Sequence, residues 1–170
     1  MRTARAVLAH CRALIDAAGP ACVAAKPQLA CFERLGAPGI AALVDVIAAA
    51  RDAGLIVIAD AKRSDAAMSS AAYAQAFAGV TPSPAGDVAG FGVDAFTANP
   101  LLGVDSLEPL IATGAGVFVL VRTSNPGAAD FQDLELAGGG PLWEQIARVV
   151  AGLGATGESG FCLLYTSRCV

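Results

Sequence analysis

The sequence predicts an α/β fold built on a parallel sheet, and three observations carry that prediction. Short apolar runs alternate along the chain with stretches whose apolar residues recur at helical spacing. The 170 residues are 55% hydrophobic, with a mean hydropathy of +0.60, which suits strands covered on both faces. Polar residues gather directly after the apolar runs, at Lys26, at Asp60 to Lys62, at Asn99 and at Thr123 to Asn125. Barrels and doubly wound sheets both place their sites at strand C-termini, so this third feature leaves the two architectures open. The absence of a Walker loop weighs against a nucleotide-cofactor fold.

The elements follow in order. Val7, Leu8, Cys11, Leu14, Ile15 and Ala18 mark a first helix that Gly19-Pro20 stops. Residues 21–25 form a short strand ending at Lys26. Ile40, Leu43, Val44 and Ile47 mark a helix begun by Pro38 and ended near Gly54. A strand at 55–59 and a helix at about 64–78 come next, then a loop at 79–92 containing Pro82 and Pro84. A strand at 93–98 ends in Asn99-Pro100. Asp105 and Glu108 form a capping box for the next helix. A strand at 117–121 leads to a polar, Gly-rich loop, and Leu142, Trp143, Ile146, Val149, Val150 and Leu153 line one face of a last helix.

Composition narrows the function classes. The net charge is −4, and no basic patch with interleaved aromatics occurs, which argues against nucleic-acid partners. No apolar run reaches the ~18 residues of a membrane span, and Arg12 and Asp16 interrupt the N-terminal apolar stretch, unlike a signal peptide. Five cysteines without a CxxC pair or metal-like clustering fit a reducing cytoplasm, the expected compartment.

Asp60-Ala61-Lys62-Arg63-Ser64-Asp65 is the stretch that carries chemistry. Residues i and i+2 of a strand share a face, so Asp60 and Lys62 are expected to project together where the strand ends. Nine of the eleven basic residues are Arg; the two lysines, Lys26 and Lys62, both close apolar strands. Lys, unlike Arg, can give up a proton. In a cluster of Lys26, Asp60, Lys62 and Asp65 the alternating charges hold one another ionised, leaving Lys62 a protonated general acid. Asp60 would repel a substrate carboxylate. Its loss as carbon dioxide relieves the repulsion, and Lys62 stabilises and protonates the carbanion. On spacing alone, an ion-pair network that only caps the strand ends is the equal alternative.

The hexapeptide resembles the D-x-K-x-x-D motif of the orotidine 5'-monophosphate decarboxylases, in their bacterial branch. The likeness runs over about residues 14–160. Lys26-Pro27-Gln28 with Phe32-Glu33, Gly36 and Gly39 is similar to the segment after that family's second strand; residues 94–100 with Leu102-Gly103 resemble its fourth-strand segment, and Thr123-Ser124-Asn125-Pro126 the loop after its fifth. The resemblance implies a partial (β/α)8 barrel covering roughly strands two to five with their helices. It implies formation of uridine monophosphate from orotidine 5'-monophosphate, in de novo pyrimidine synthesis, without cofactor or metal. It assigns Lys62 as proton donor within the Lys26, Asp60, Lys62 and Asp65 network. It implies a homodimer in which Asp65 reaches the partner's site. Ser69 falls where a hydroxyl lies near the ribose, and Ser124 where a serine recognises the pyrimidine. Thr97 and Asn99 complete the substrate-binding candidates. For all four, helix capping or turn satisfaction is an equal alternative on sequence grounds.

The departures are informative. Ser64 stands where the family usually has Gly, and Ala66 where a larger apolar residue is common. The family's first-strand Asp, its glycine-rich phosphate loop and its phosphate-gripping Arg have no counterparts here. A whole barrel takes about 250 residues, so residues 1–161 are expected to be an incomplete barrel domain, inactive by itself. Residues 162–167 match the translated end of a transposon-based sequencing adapter, so 162–170 are expected to be a non-native tail; a genuine strand at 161–165 is the alternative. Rival functions are a Mg²⁺-dependent sugar-phosphate decarboxylase or synthase of the same superfamily, disfavoured by Lys26 at its metal-binding position, a Schiff-base aldolase, which needs a neutral lysine, and a non-catalytic truncated module.

Overall fold

The computed structural model describes residues 1–154 and the strand at 161–165. In chain order it contains α1 (Arg2–Ala18), a 3-10 turn (Gly19–Ala21), β1 (Ala24–Ala25), α2 (Leu29–Glu33), α3 (Ala37–Asp52), β2 (Ile56–Arg63), α4 (Ala67–Phe77), β3 (Val80–Thr81), β4 (Val88–Ala89), β5 (Ala95–Ala98), α5 (Val104–Ile111), β6 (Gly116–Arg122), a second 3-10 turn (Pro126–Asp130), α6 (Leu142–Gly154) and β7 (Phe161–Tyr165). The main sheet has the order β1-β2-β5-β6-β7; β1 runs parallel to β2 and β6 parallel to β7. This is the α/β fold that the alternation predicts.

Two compact units divide the chain: Met1–Ala61 with Gln75–Phe96, and Lys62–Ala74 with Thr97–Val170. In the first unit α1 lies on α3, and Leu43, Val46 and Ile47 of α3 are buried with Leu29 and Phe32 of α2. The α2–α3 approach demands glycine at position 39, where a Cβ would stand 2.0 Å from the Phe32 carbonyl oxygen. Phe77 stacks on Phe96 at 5.2 Å between ring centroids and meets Phe91 at 6.0 Å. In the second unit β6 alternates strictly, with Val117, Val119 and Val121 buried beside Leu107, Leu110 and Val150.

Several expected boundaries shift, each for a local reason. The strand expected at 21–25 shrinks to Ala24–Ala25, because Gly19-Pro20-Ala21 closes a 3-10 turn with the Cys22 N–H on the Gly19 carbonyl. A short helix, α2, fills the stretch after Lys26 that carries no helical repeat. The strand expected at 55–59 runs on to Arg63, since pairing continues through the Asp60 N–H to the Pro27 carbonyl. α4 starts at Ala67 rather than 64, behind a turn in which the buried Ser70 hydroxyl donates to the Asp65 carbonyl at 2.9 Å. The 79–92 loop contains a small antiparallel hairpin, β3 with β4. The expected capping box does not form: Gly103, at φ 100°, is the N-cap of α5, and Asp105 sits inside the first turn. Of the expected tail at 162–170, residues 162–165 belong to strand β7 and 166–170 lie outside the described residues.

Candidate active site

In the first unit, parallel pairing sets Ala24 opposite Ile56 and Ala25 opposite Val57, and a further bridge sets Gln28 opposite Asp60. That register brings the segment after β1 alongside the polar part of β2. Lys26 Nζ donates to Asp60 Oδ2 at 2.8 Å, and Gln28 Nε2 donates to the same oxygen at 2.9 Å. The partners differ sharply in exposure. The Lys26 side chain is 56% exposed and that of Asp60 is 5% exposed. The buried carboxylate therefore depends on these donors, whereas the ammonium keeps access to water.

In the second unit Lys62 has φ 51°, the only positive φ at a non-glycine residue among those described. A left-handed backbone costs an L-residue about 1–2 kcal/mol. Strand alternation therefore fails at the point where the sequence assumed it, and Lys62 is exposed while Asp60 is buried. The Lys62 N–H donates to Thr97 Oγ1 at 2.8 Å, and the Asn99 N–H donates to the Arg63 carbonyl at 3.0 Å. Thr97 lies on β5 and is 1% exposed. Asn99 Oδ1 accepts from the Leu101 N–H at 3.0 Å, an Asx-type turn. Asp65 is half-buried, and its Oδ1 accepts from the Ala66 N–H at 2.7 Å. Ser69 is exposed; its neighbour Ser70 is the buried one.

Ser124 is exposed on the loop after β6, between tightly held neighbours. Arg122 grips Asp133 with two bonds, Nε to Oδ1 at 2.7 Å and Nη2 to Oδ2 at 2.8 Å, while its Nη1 donates to the Thr123 carbonyl. The Thr123 N–H donates to Gln132 Oε1 at 2.7 Å, and Gln132 Nε2 donates back to Thr123 Oγ1 at 2.9 Å. A hollow of about 310 Å³ lies along α5 and α6, and another of about 290 Å³ is lined by Asn99, Thr123 and Gln132 among others.

The structure thus joins Lys26 to Asp60 and Lys62 to Thr97. It gives Asn99 a turn partner and leaves Ser69 and Ser124 exposed. Three contributors went unnoticed in the sequence as site residues. Gln28 had a signal, lying two residues beyond Lys26 in a segment that pairs with Asp60. Arg122 and Asp133, eleven residues apart with no periodic relation, had none.

A β/α succession with charged and hydroxyl side chains grouped where strands end is the pattern of an α/β-barrel domain. The model of the orotidine 5'-phosphate decarboxylase / HUMPS family matches residues 5–155, and the chain belongs to this family. It is 43% identical over 154 residues to orotidine 5'-phosphate decarboxylase of Rhodopirellula baltica, covering 88% of this chain and 50% of that relative. It is 44% identical over 145 residues to the Deinococcus radiodurans enzyme of the same name, covering 83% and 48%. The solved structure of Leishmania donovani OMP decarboxylase matches with a TM-score of 0.80 and 36% identity over 94% of this chain and 59% of that one. The chain spans about half the length of the curated relatives it matches.

Proposed function

We propose that the complete protein carrying this chain decarboxylates orotidine 5'-monophosphate to uridine 5'-monophosphate. The bond from the pyrimidine ring to its carboxylate breaks, carbon dioxide leaves, and the electron pair stays on the ring carbon. The Lys62 ammonium gives that carbon its proton and is reprotonated from water. Asp60 and Asp65 balance the charge of Lys62 and favour departure of the substrate's carboxylate, and Lys26 holds Asp60 through its ion pair. Ser69, Asn99 and Ser124 contact the nucleotide.

One observation carries the reading. A buried, ion-paired Asp60 and an exposed Lys62 in a strained backbone conformation stand two residues apart on β2. Strained residues persist where their surroundings over-determine them, and such places cluster at functional sites. The named relatives support the substrate. Their twofold greater length supports placing activity in the complete protein, which in this reading acts in the cytoplasm as a homodimer. The reaction needs no cofactor or metal in this scheme.

The test is an assay of the complete reading frame on orotidine 5'-monophosphate in deuterated water, with and without a chelator. Chelator-insensitive turnover giving product with one deuterium on the ring carbon is expected. Turnover of a sugar phosphate that requires Mg²⁺, with none of the nucleotide, would replace this reading with that of the Mg²⁺-dependent sister enzymes.

A further inference from the structure

Thr97 stands among the residues expected to touch substrate, yet it is 1% exposed and its Oγ1 faces the main chain of Lys62. A left-handed backbone is held against its intrinsic cost only where its main-chain groups find partners. The Thr97 hydroxyl oxygen supplies one at 2.8 Å. On the far side of the same residue, the Arg63 carbonyl is tied to the Asn99 N–H at 3.0 Å. The two bonds come from neighbouring positions of one stretch, at and just beyond the end of β5.

We propose that Thr97 is a positioning residue: its buried hydroxyl oxygen holds the Lys62 backbone in the left-handed conformation that directs the Lys62 ammonium. The proposal rests on Lys62 being the proton donor. Valine matches threonine in shape but lacks the acceptor. In Thr97→Val the Lys62 N–H loses this acceptor and the backbone can relax toward ordinary φ. A misplacement of about 1 Å at a reacting group costs on the order of 10²-fold in rate. Substrate contacts elsewhere are untouched, so the loss should fall on kcat rather than KM.

The experiment uses the complete protein and three chains: wild type, Thr97→Val and Thr97→Ser, which keeps the hydroxyl. Two readouts are taken, kcat and KM on orotidine 5'-monophosphate and hydrogen exchange at the Lys62 amide. The expected result is a fall in kcat of about 10- to 100-fold for Thr97→Val with KM within about 3-fold. Lys62 amide exchange should be faster in the same variant, and both effects should be largely reversed in Thr97→Ser. Wild-type kcat and wild-type amide protection in Thr97→Val would overturn the proposal, as would equal losses in the valine and serine variants. If Thr97→Val does not fold, Thr97→Ala is held to the same criteria. If the wild-type protein does not decarboxylate the nucleotide, the functional reading fails, and the Lys62 amide still decides whether Thr97 holds that backbone.

Discussion

The two lysines of this chain are held in opposite ways. Lys26, in the first unit, is fixed by its side chain: its ammonium meets a buried carboxylate at 2.8 Å while its backbone belongs to an ordinary segment after β1. Lys62, in the second unit, is held through its main chain, in a left-handed conformation backed by the Thr97 hydroxyl. An ion pair steadies a charge whose task is to stay where it is. Backbone strain fixes the direction in which a side chain leaves the main chain. The difference suggests that Lys26 is there to stabilise Asp60, and Lys62 to react.

The largest effect should separate these roles. Lys62→Ala removes the proposed proton donor, and general acid catalysis contributes about 10²- to 10⁴-fold. Turnover of the complete protein should fall by about 10³-fold or more, with KM changed far less. Lys26→Ala should cost less in kcat, because it removes only a neighbour of Asp60. Steady-state kinetics of the two variants checks the order, and a reversed order would break the comparison.

Stability should show the opposite ranking. Lys26→Ala strips the buried Asp60 carboxylate of the ammonium that donates to Oδ2, an oxygen that Gln28 also bonds. Leaving a buried acceptor under-satisfied costs about 1–3 kcal/mol. Asp60→Asn should cost less. It removes the buried charge itself, and the 56% exposed Lys26 side chain can turn to water. Urea unfolding midpoints of the two variants measure this asymmetry; equal midpoints would mean that exposure does not set the cost.

Lys62 allows a subtler comparison. Alanine at 62 keeps a Cβ and hence the left-handed strain, whereas glycine removes it. Lys62→Gly should be more stable than Lys62→Ala by about 1 kcal/mol, reduced by the greater entropy of an unfolded glycine. At position 26 the order should reverse, with glycine the less stable of the two. Thermal unfolding of the four variants checks both signs.

Much of this contrast was legible in the sequence, and the reasons for what was not are physical. Apolar runs and helical repeats located β2, β6, α1, α3 and α6, because burial imposes a period on the residues that carry it. Lys26, Asp60 and Lys62 stood out as polar residues closing apolar runs. The left-handed φ of Lys62 was hidden, since no glycine or asparagine marks it. β1 and the β3–β4 hairpin have two-residue strands, too short for any period to register. The capping box at Asp105 failed because Gly103, with its positive φ, had already turned the chain into the helix. Thr97 was picked as a ligand contact because sequence shows a hydroxyl but not the direction it faces.

The smallest effect concerns a third way of holding a residue, by clamping both sides of a loop. Ser124 makes its proposed contact from the stretch between Arg122 and Asp133, whose side chains are 27% and 37% exposed. A partly exposed ion pair of this kind contributes at most about 1 kcal/mol, the upper part of that range being reserved for two-pronged Arg–carboxylate geometry. Arg122→Ala should therefore lower global stability by less than about 1 kcal/mol. Its local effect should be larger than that figure suggests, because the Thr123 carbonyl loses its donor along with Asp133. Limited proteolysis should cut within 123–133 several-fold faster in the variant, and KM for the nucleotide should rise with kcat little changed. Lys→Ala at position 62 should show the reverse split. A variant that lost kcat alone would move Arg122 out of the loop's support and into the chemistry of the site.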